Sequence, residues 1–220
     1  MKTFLTLRSK SILVTMMVLF LVRSDDDSYM MESIDPPEDE VTVTNTKTYD
    51  FGSVAVPDIS GEAIITEFSD NTLTIDLELQ NTPDGGQHPA HIHFNTAAEG
   101  GGIALTLGTV DGSTGMSSIM VTTLDDGTPV DYDDLVNFDG YINVHLSAEE
   151  LSTIVAQGDI GQNDLTANSK SYDLGEKAVA GIDGKVTFFE RVNGEALSVI
   201  ELMNTPEGGI HPTHIHFNSA

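Results

Sequence analysis

The feature that most constrains this chain is an internal repeat. Residues 85–95 read GGQHPAHIHFN and residues 208–218 read GGIHPTHIHFN, an offset of 208 − 85 = 123 residues. The same offset, without a gap, relates two other pairs of segments: Tyr49-Asp50 with Tyr172-Asp173, and Asn81-Thr82-Pro83 with Asn204-Thr205-Pro206. A single ungapped offset over such a span predicts two tandem copies of one folding module.

The offset also sets the expected domain boundaries. The first copy is expected to span residues 41–163, which is an ordinary size for a domain. The second spans residues 164–220 and ends at Ala220, the counterpart of Ala97, so we expect a truncated copy without an equivalent of residues 98–163. Such a copy cannot close a complete fold, and its open strand edges would favour self-association.

The N-terminus has the pattern of an export signal. A basic start is followed by a largely apolar run at residues 11–22, which is too short to cross a membrane comfortably. We therefore predict a signal peptide at 1–23 and an acidic, disordered tether at 24–40. The protein is expected to be secreted, periplasmic or at the cell surface, and not an integral membrane protein once the signal is removed. The junction resembles a bacterial lipoprotein signal, but Arg23 stands where such a signal has a cysteine, so a lipid anchor is not expected.

The charge balance excludes some classes of partner. The chain has 35 acidic residues against nine basic ones, for a formal net charge of -26. An acidic field of this strength repels nucleic acid and anionic lipid, and it attracts cations. The partner is therefore expected to be a protein or a glycan and not a nucleic acid. Without cysteine, the chain has neither disulfides nor thiolate chemistry.

Hydrophobic alternation predicts an all-β fold with Gly-rich turns. In residues 71–80, leucine and isoleucine alternate with polar side chains, which is the pattern of a half-buried strand. Five other segments are expected to be strands: 61–68, 90–95, 103–110, 117–123 and 140–146. One short helix is predicted at residues 148–157, where Ser147 and Glu150 form a capping-box pattern. Many short strands at this spacing are typical of a sandwich or a flattened barrel.

The histidines are concentrated in the repeat. Six of the seven lie in the two H-P-x-H-I-H segments, and the seventh is His145 in the segment GYINVHL of the first copy. Strand alternation places His91 and His93 on the face opposite the apolar side chains, and it places His145 likewise. We therefore expect these three to point away from the core. His91 and His93 are then within reach of one ion, His88 can approach from the preceding turn, and His145 completes the set if its strand neighbours that of the pair.

This residue type suits a transition-metal site. Neutral imidazole binds copper, zinc or nickel, and copper has the highest intrinsic affinity of these. The candidate ligands are His88, His91, His93 and His145 in the first copy, and His211, His214 and His216 in the second. The expected cofactor is copper or zinc. The alternative is that no metal binds and the histidines hydrogen-bond to loop backbone, holding the turn against the sheet.

These segments resemble the chordin-type (CHRD) domain family, which pairs an H-I-H strand with a later Y-V-N-V-H segment and a G-E-I-R-G-Q-like strand. The counterparts here are His91-Ile92-His93, Tyr141-Ile142-Asn143-Val144-His145 and Gly158-Asp159-Ile160-Gly161-Gln162. The resemblance covers residues 41–163 and the front of the second copy. It departs where the family's arginine is missing between Ile160 and Gly161.

The resemblance implies an immunoglobulin-like or superoxide-dismutase-like Greek-key β-sandwich. Residues 86–93 are similar to the copper strand of copper/zinc superoxide dismutases, and residues 144–145 are similar to the segment with their last copper ligand. The resemblance therefore implies three copper positions and one neighbour, namely His91, His93, His145 and the adjacent His88. The bridging histidine, the zinc loop and the disulfide of those enzymes have no counterpart here.

Charge favours a non-catalytic role. Residues 41–163 contain 19 acidic residues and one base, Lys47, so their net charge is 1 − 19 = −18. Such a field opposes the approach of superoxide, which is an anion. We expect a binding or structural module in tandem, with a surface metal site and no catalytic residues. The alternatives are a copper-dependent, superoxide-dismutase-like metalloenzyme and a metal-sequestering protein.

Overall fold

The computed structural model describes residues 40–218, and the predicted signal peptide and all but the last residue of the predicted tether lie outside this range. The first nine elements are β1 (Val43–Ser53), β2 (Ser60–Phe68), β3 (Leu73–Gln80), β4 (Gln87–Phe94), β5 (Ile103–Asp111), β6 (Met116–Met120), α1 (Tyr132–Val136), β7 (Asp139–His145) and β8 (Ile154–Gly161). Three more strands follow: β9 (Leu165–Leu174), β10 (Asp183–Arg191) and β11 (Ala196–Met203). The predicted all-β class is confirmed.

Strands β1 to β8 close into a barrel in the order β1-β2-β3-β6-β5-β4-β7-β8. All of their pairings are antiparallel. Strand β4, which carries the first histidine motif, lies between β5 and β7. It therefore has a hydrogen-bonded neighbour on both sides.

Alternation along the strands fills the barrel interior. In β3, every second residue from Leu73 to Leu79 is buried. The buried cluster continues into the two strands that carry candidate ligands, through Ala90 and Ile92 of β4 and Ile142 and Val144 of β7. Burying a Val, Leu or Ile side chain stabilises a fold by about 1.5–3 kcal/mol, so these buried side chains fix β4 and β7 against the barrel core.

The six strands predicted from the sequence correspond to β2 through β7. The agreement is loosest at β4, which begins at Gln87, 90 − 87 = 3 residues before the predicted start, and at β6, which ends at Met120, 123 − 120 = 3 residues before the predicted end. Strand β1 is not among the predicted strands, and β8 contains residues 158–161 of the segment that the family resemblance relates to a strand.

The helix predicted at residues 148–157 is wrong. Residues 147–153 form bends and turns, and β8 begins at Ile154. The Ser147 hydroxyl accepts a hydrogen bond from the Glu149 amide within this turn, so the predicted capping residue does not start a helix. Pairing with β7 and burial in the barrel outweigh local helix propensity here. The helix of the described chain is α1, whose cap is Asp131, with Asp134 completing a capping box.

The last three strands form a separate sheet in the order β11-β10-β9. The bounds of β10 and β11 equal those of β2 and β3 plus the repeat offset: 60 + 123 = 183, 68 + 123 = 191, 73 + 123 = 196 and 80 + 123 = 203. The pairing register is also the same, since Tyr49 faces Ala63 and Tyr172 faces Val186. Within the described residues, β9 and β11 each have a strand neighbour on one side only.

Candidate metal centre

The first histidine motif lies on the outer surface of the barrel. In β4, Ala90 and Ile92 are fully buried inside, whereas His91 and His93 are half-buried on the other face. Strand β7 runs alongside, and His145 lies at its end, next to an irregularity in the pairing with β8. The adjacent strands therefore bring the three histidines together.

The spacing of the three imidazoles fits one metal ion. One ring nitrogen from each of His91, His93 and His145 lies within 4.8 Å of the others. The Nε2 atom of His145 is 3.1 Å from the Nδ1 atom of His91. Two nitrogens bound at 2.0–2.1 Å to one tetrahedral ion are about 3.3 Å apart, so this separation is close to that of a coordinated pair.

Backbone carbonyls determine which ring nitrogens are free to bind. The Nδ1 atom of His93 is 3.0 Å from the Gly101 carbonyl oxygen, and that of His145 is 2.6 Å from the Leu151 carbonyl oxygen. A carbonyl only accepts, so each Nδ1 carries the proton and each Nε2 keeps its lone pair. The Nε2 atom of His93 is buried and has no hydrogen-bond partner. The ligand atoms assigned on this basis are His93 Nε2 and His145 Nε2, and the His91 nitrogen that faces His145 Nε2 is Nδ1.

The His93 ring is also held from the side. It stacks on Tyr141, with ring centroids 5.0 Å apart and an angle of 18° between the planes. The Tyr141 hydroxyl accepts a hydrogen bond from the Gly101 amide, and the Gly101 carbonyl faces His93. A Cβ atom on Gly101 would lie 2.0 Å from the Phe94 carbonyl oxygen, so only glycine allows this close approach. The sequence interpretation did not identify Tyr141, Gly101 or Leu151 as parts of the site.

Burial and mutual repulsion favour neutral imidazoles. The pKa of His91 is lowered mainly by burial and then by the nearby His145 and His93, against an opposing effect of Asp125. The pKa of His145 is lowered mainly by burial, against the hydrogen bond to the Leu151 carbonyl. A metal ion needs the unprotonated ring, so these shifts favour metal binding near neutral pH.

The expectation that all three strand histidines would be outward-facing needs one correction. His145 lies on the outer face, in contact with His91, but it is only 6% exposed. The turn that follows β7 folds back over its ring, because the Leu151 carbonyl oxygen contacts Nδ1. The strand pattern could not show this covering turn.

His88 lies apart from the other three, which corrects its predicted role as a ligand approaching from the turn. It is 1% exposed and shares the inner face of β4 with Ala90 and Ile92, since residues 88, 90 and 92 alternate with 91 and 93. Its Nδ1 atom is 3.2 Å from the His145 carbonyl oxygen. His88 therefore contacts the backbone of a ligand and does not join the ligand set.

The second histidine motif is not assembled in the same way. His211, His214 and His216 are exposed, in a segment without strand structure. The rings of His214 and His216 have centroids 6.1 Å apart, similar to the 6.0 Å between His91 and His93. Among residues 40–218, however, the group of ligand atoms close enough to hold one ion is that of His91, His93 and His145. No strand of the described chain pairs with residues 210–216.

Comparisons with protein-family models, with curated proteins and with solved structures each return no match for this chain. The interpretation of the site therefore depends on its own geometry. Within residues 40–218, no helix has the length and apolar character that a membrane crossing requires.

Proposed function

We propose that this protein is an exported, CHRD-type tandem β-protein whose first copy binds one copper or zinc ion through His91, His93 and His145, as a binding or structural module. The observation that carries the proposal is the unpartnered, buried Nε2 atom of His93 within the three-imidazole group. A buried acceptor without a partner costs about 1–3 kcal/mol. A metal ion would satisfy it together with the other two nitrogens.

The strand order supports the expected Greek-key fold of the immunoglobulin-like or superoxide-dismutase-like kind, which we include in the proposal. Strands β4, β5 and β6 are consecutive neighbours, and β7 returns beside β4. That arrangement is the spatial order of a Greek key. The equal strand bounds of β2–β3 and β10–β11, and the register that β1 and β2 share with β9 and β10, support the tandem repeat.

Charge supports a cation as the ligand. The net charge of −18 over residues 41–163 raises the local concentration of cations around the barrel. Three neutral nitrogens suit copper and zinc, and copper is favoured on intrinsic affinity. The same field disfavours the superoxide-dismutase alternative, because it repels the anionic substrate. A metal-sequestering role stays as the second candidate, and the open edges of β9 and β11 support the proposal of self-association.

A metal titration tests the proposal. The purified chain is stripped with a chelator and titrated with Cu²⁺ and Zn²⁺ beside the His91→Ala/His93→Ala variant. We expect one tight site per chain in the unmodified protein and its loss in the variant. The matched control is His214→Ala/His216→Ala, which changes the equivalent positions of the second copy and is expected to keep the tight site. Equal binding by all three proteins would contradict the proposal. If no metal binds and the first variant is less stable, the histidines hold the structure together instead.

A further inference from the structure

A buried ion pair joins the second sheet to the barrel. Arg191, at the end of β10, is 3% exposed, and its Nη1 atom lies 2.7 Å from the Asp159 carboxylate of β8. The same nitrogen donates a hydrogen bond of 2.6 Å to the Asn163 carbonyl. Arg191 is the one arginine in residues 40–218, and its counterpart in the first copy is Phe68, since 68 + 123 = 191. The second copy therefore supplies a contact that the first copy lacks.

The carboxylate of Asp159 connects this ion pair to the loop at residues 95–101. Its Oδ2 atom faces Arg191, while its Oδ1 atom accepts a 2.7 Å hydrogen bond from the Ala97 amide. A buried carboxylate keeps its charge when it is paired and hydrogen-bonded on both oxygens. Removing the guanidinium would leave the Oδ2 atom of Asp159 without its partner and the side chain free to turn.

The loop at residues 95–101 determines the position of the carbonyl that orients His93. The Asn95 side chain donates to the Gly100 carbonyl, and the Gly100 amide donates to the Thr96 carbonyl, so the loop is internally cross-linked. Its last residue, Gly101, has the carbonyl that fixes the His93 tautomer. A displacement at Ala97 is therefore transmitted to His93 through the loop.

A second connection runs along the outer face of the sheet. Tyr141 is the cross-strand neighbour of His93 in β4 and of Asp159 in β8. Directly opposed side chains on neighbouring strands are in contact range, so Asp159 lies beside the ring on which His93 stacks. Both connections from Asp159 lead to the same ligand.

We propose that Arg191 is a positioning residue for the metal centre: it fixes Asp159, which holds the 95–101 loop and thereby the tautomer and orientation of His93. A residue of the second copy thus affects the metal affinity of the site in the first. The expected effect of Arg191 on metal affinity rests on the proposed metal-binding function. Its effect on the His93 tautomer does not depend on metal.

The test compares Arg191→Met with Lys47→Met in the full chain. Lys47 forms a 2.8 Å ion pair with Asp164, so its removal also breaks a contact between the barrel and the segment after residue 163, with the same change in charge. We expect Arg191→Met to weaken Cu²⁺ or Zn²⁺ binding about tenfold, at the lower end of the effect of outer-shell partners, and Lys47→Met to leave it unchanged. In the metal-free protein, ¹⁵N NMR of the imidazoles should show the Nδ1–H tautomer of His93 in the unmodified chain and in Lys47→Met, and a tautomer mixture in Arg191→Met.

The outcomes separate this inference from the proposed function. Unchanged affinity and an unchanged His93 tautomer in Arg191→Met, even with a lower stability, would overturn the positioning role. If the unmodified chain binds neither metal, the proposed function fails, and the tautomer measurement still decides the inference. Where Arg191→Met alone does not fold, Arg191→Met/Asp159→Asn replaces it, because the double variant leaves no unpaired buried charge and is expected to show the same tautomer mixture.

Discussion

The H-P-x-H-I-H motif occurs twice in this molecule, in two different environments. In the first copy it forms β4, with strands on both sides and a third histidine contributed by β7. In the second copy the same motif lies in an exposed segment without strand structure. The motif has the same histidines in both cases, but among the described residues the neighbouring strand brings three imidazoles close enough to hold one ion only in the first.

The strands that precede the two motifs show the opposite behaviour. Strands β9 to β11 repeat the register of β1 to β3, although no barrel closes around them within residues 40–218. What differs is burial: Leu77 is 1% exposed, while its counterpart Ile200, at 77 + 123, is 38% exposed. Among the described residues, strand pairing therefore forms in both regions, whereas the buried core and the three-imidazole cluster are found in the barrel.

The largest expected effect tests this difference in burial. Leu77→Ala should lower the free energy of unfolding by about 2–5 kcal/mol, because it leaves a cavity in a closed core. Ile200→Ala should lower it by about 1 kcal/mol or less, since the open sheet face is already partly hydrated. Urea denaturation of both variants measures the two losses. Similar losses would mean that the second sheet is covered in solution and that the two regions do not differ in burial.

The next effect concerns the third imidazole. His145→Ala leaves the His91–His93 pair intact and should weaken metal binding by roughly 100-fold, or about 2.8 kcal/mol, to the level of the second motif. That level is read from the His91→Ala/His93→Ala variant, in which only the second motif is complete. Retention of the original affinity by His145→Ala would show that two imidazoles suffice, and the two copies would then differ for another reason.

The sequence predicted the parts of this molecule that depend on alternation. The period of two placed His91 and His93 on one face, and the apolar residues of β3 in the core, because strand geometry alone determines both. Alternation also placed His145 on the outer face, whereas its place in the ligand set was implied by the family resemblance. These predictions needed no knowledge of the loops.

The predictions that failed depend on tertiary contacts. The helix expected at 148–157 has a capping-box pattern, but pairing of residues 154–161 with β7 outweighs it. His88 lies one residue out of phase with the other two, which the alternation already implied, yet the turn was expected to reposition it. Gly101 and Leu151 contact the histidines through backbone carbonyls, and Arg191 acts through a long-range ion pair. Neither kind of contact can be read from hydrophobic alternation.

The smallest expected effect concerns a row of charged side chains across the first three strands of each copy. In the barrel, Glu62 lies between Asp50 and Glu78 on the neighbouring strands. In the second sheet the equivalent row has Lys185 in the middle, 3.0 Å from Glu201. Like charges directly opposite one another destabilise a sheet, so Glu62→Lys should raise the free energy of unfolding by about 0.5 kcal/mol at low ionic strength.

Denaturation at two salt concentrations measures the effect, and the gain should shrink in 1 M salt, where screening is strong. The matched control, Lys185→Glu, should recreate the repulsion and destabilise the second sheet. A gain from Glu62→Lys that salt leaves unchanged would come from side-chain packing, and the contrast in charge between the two rows would then have no energetic consequence.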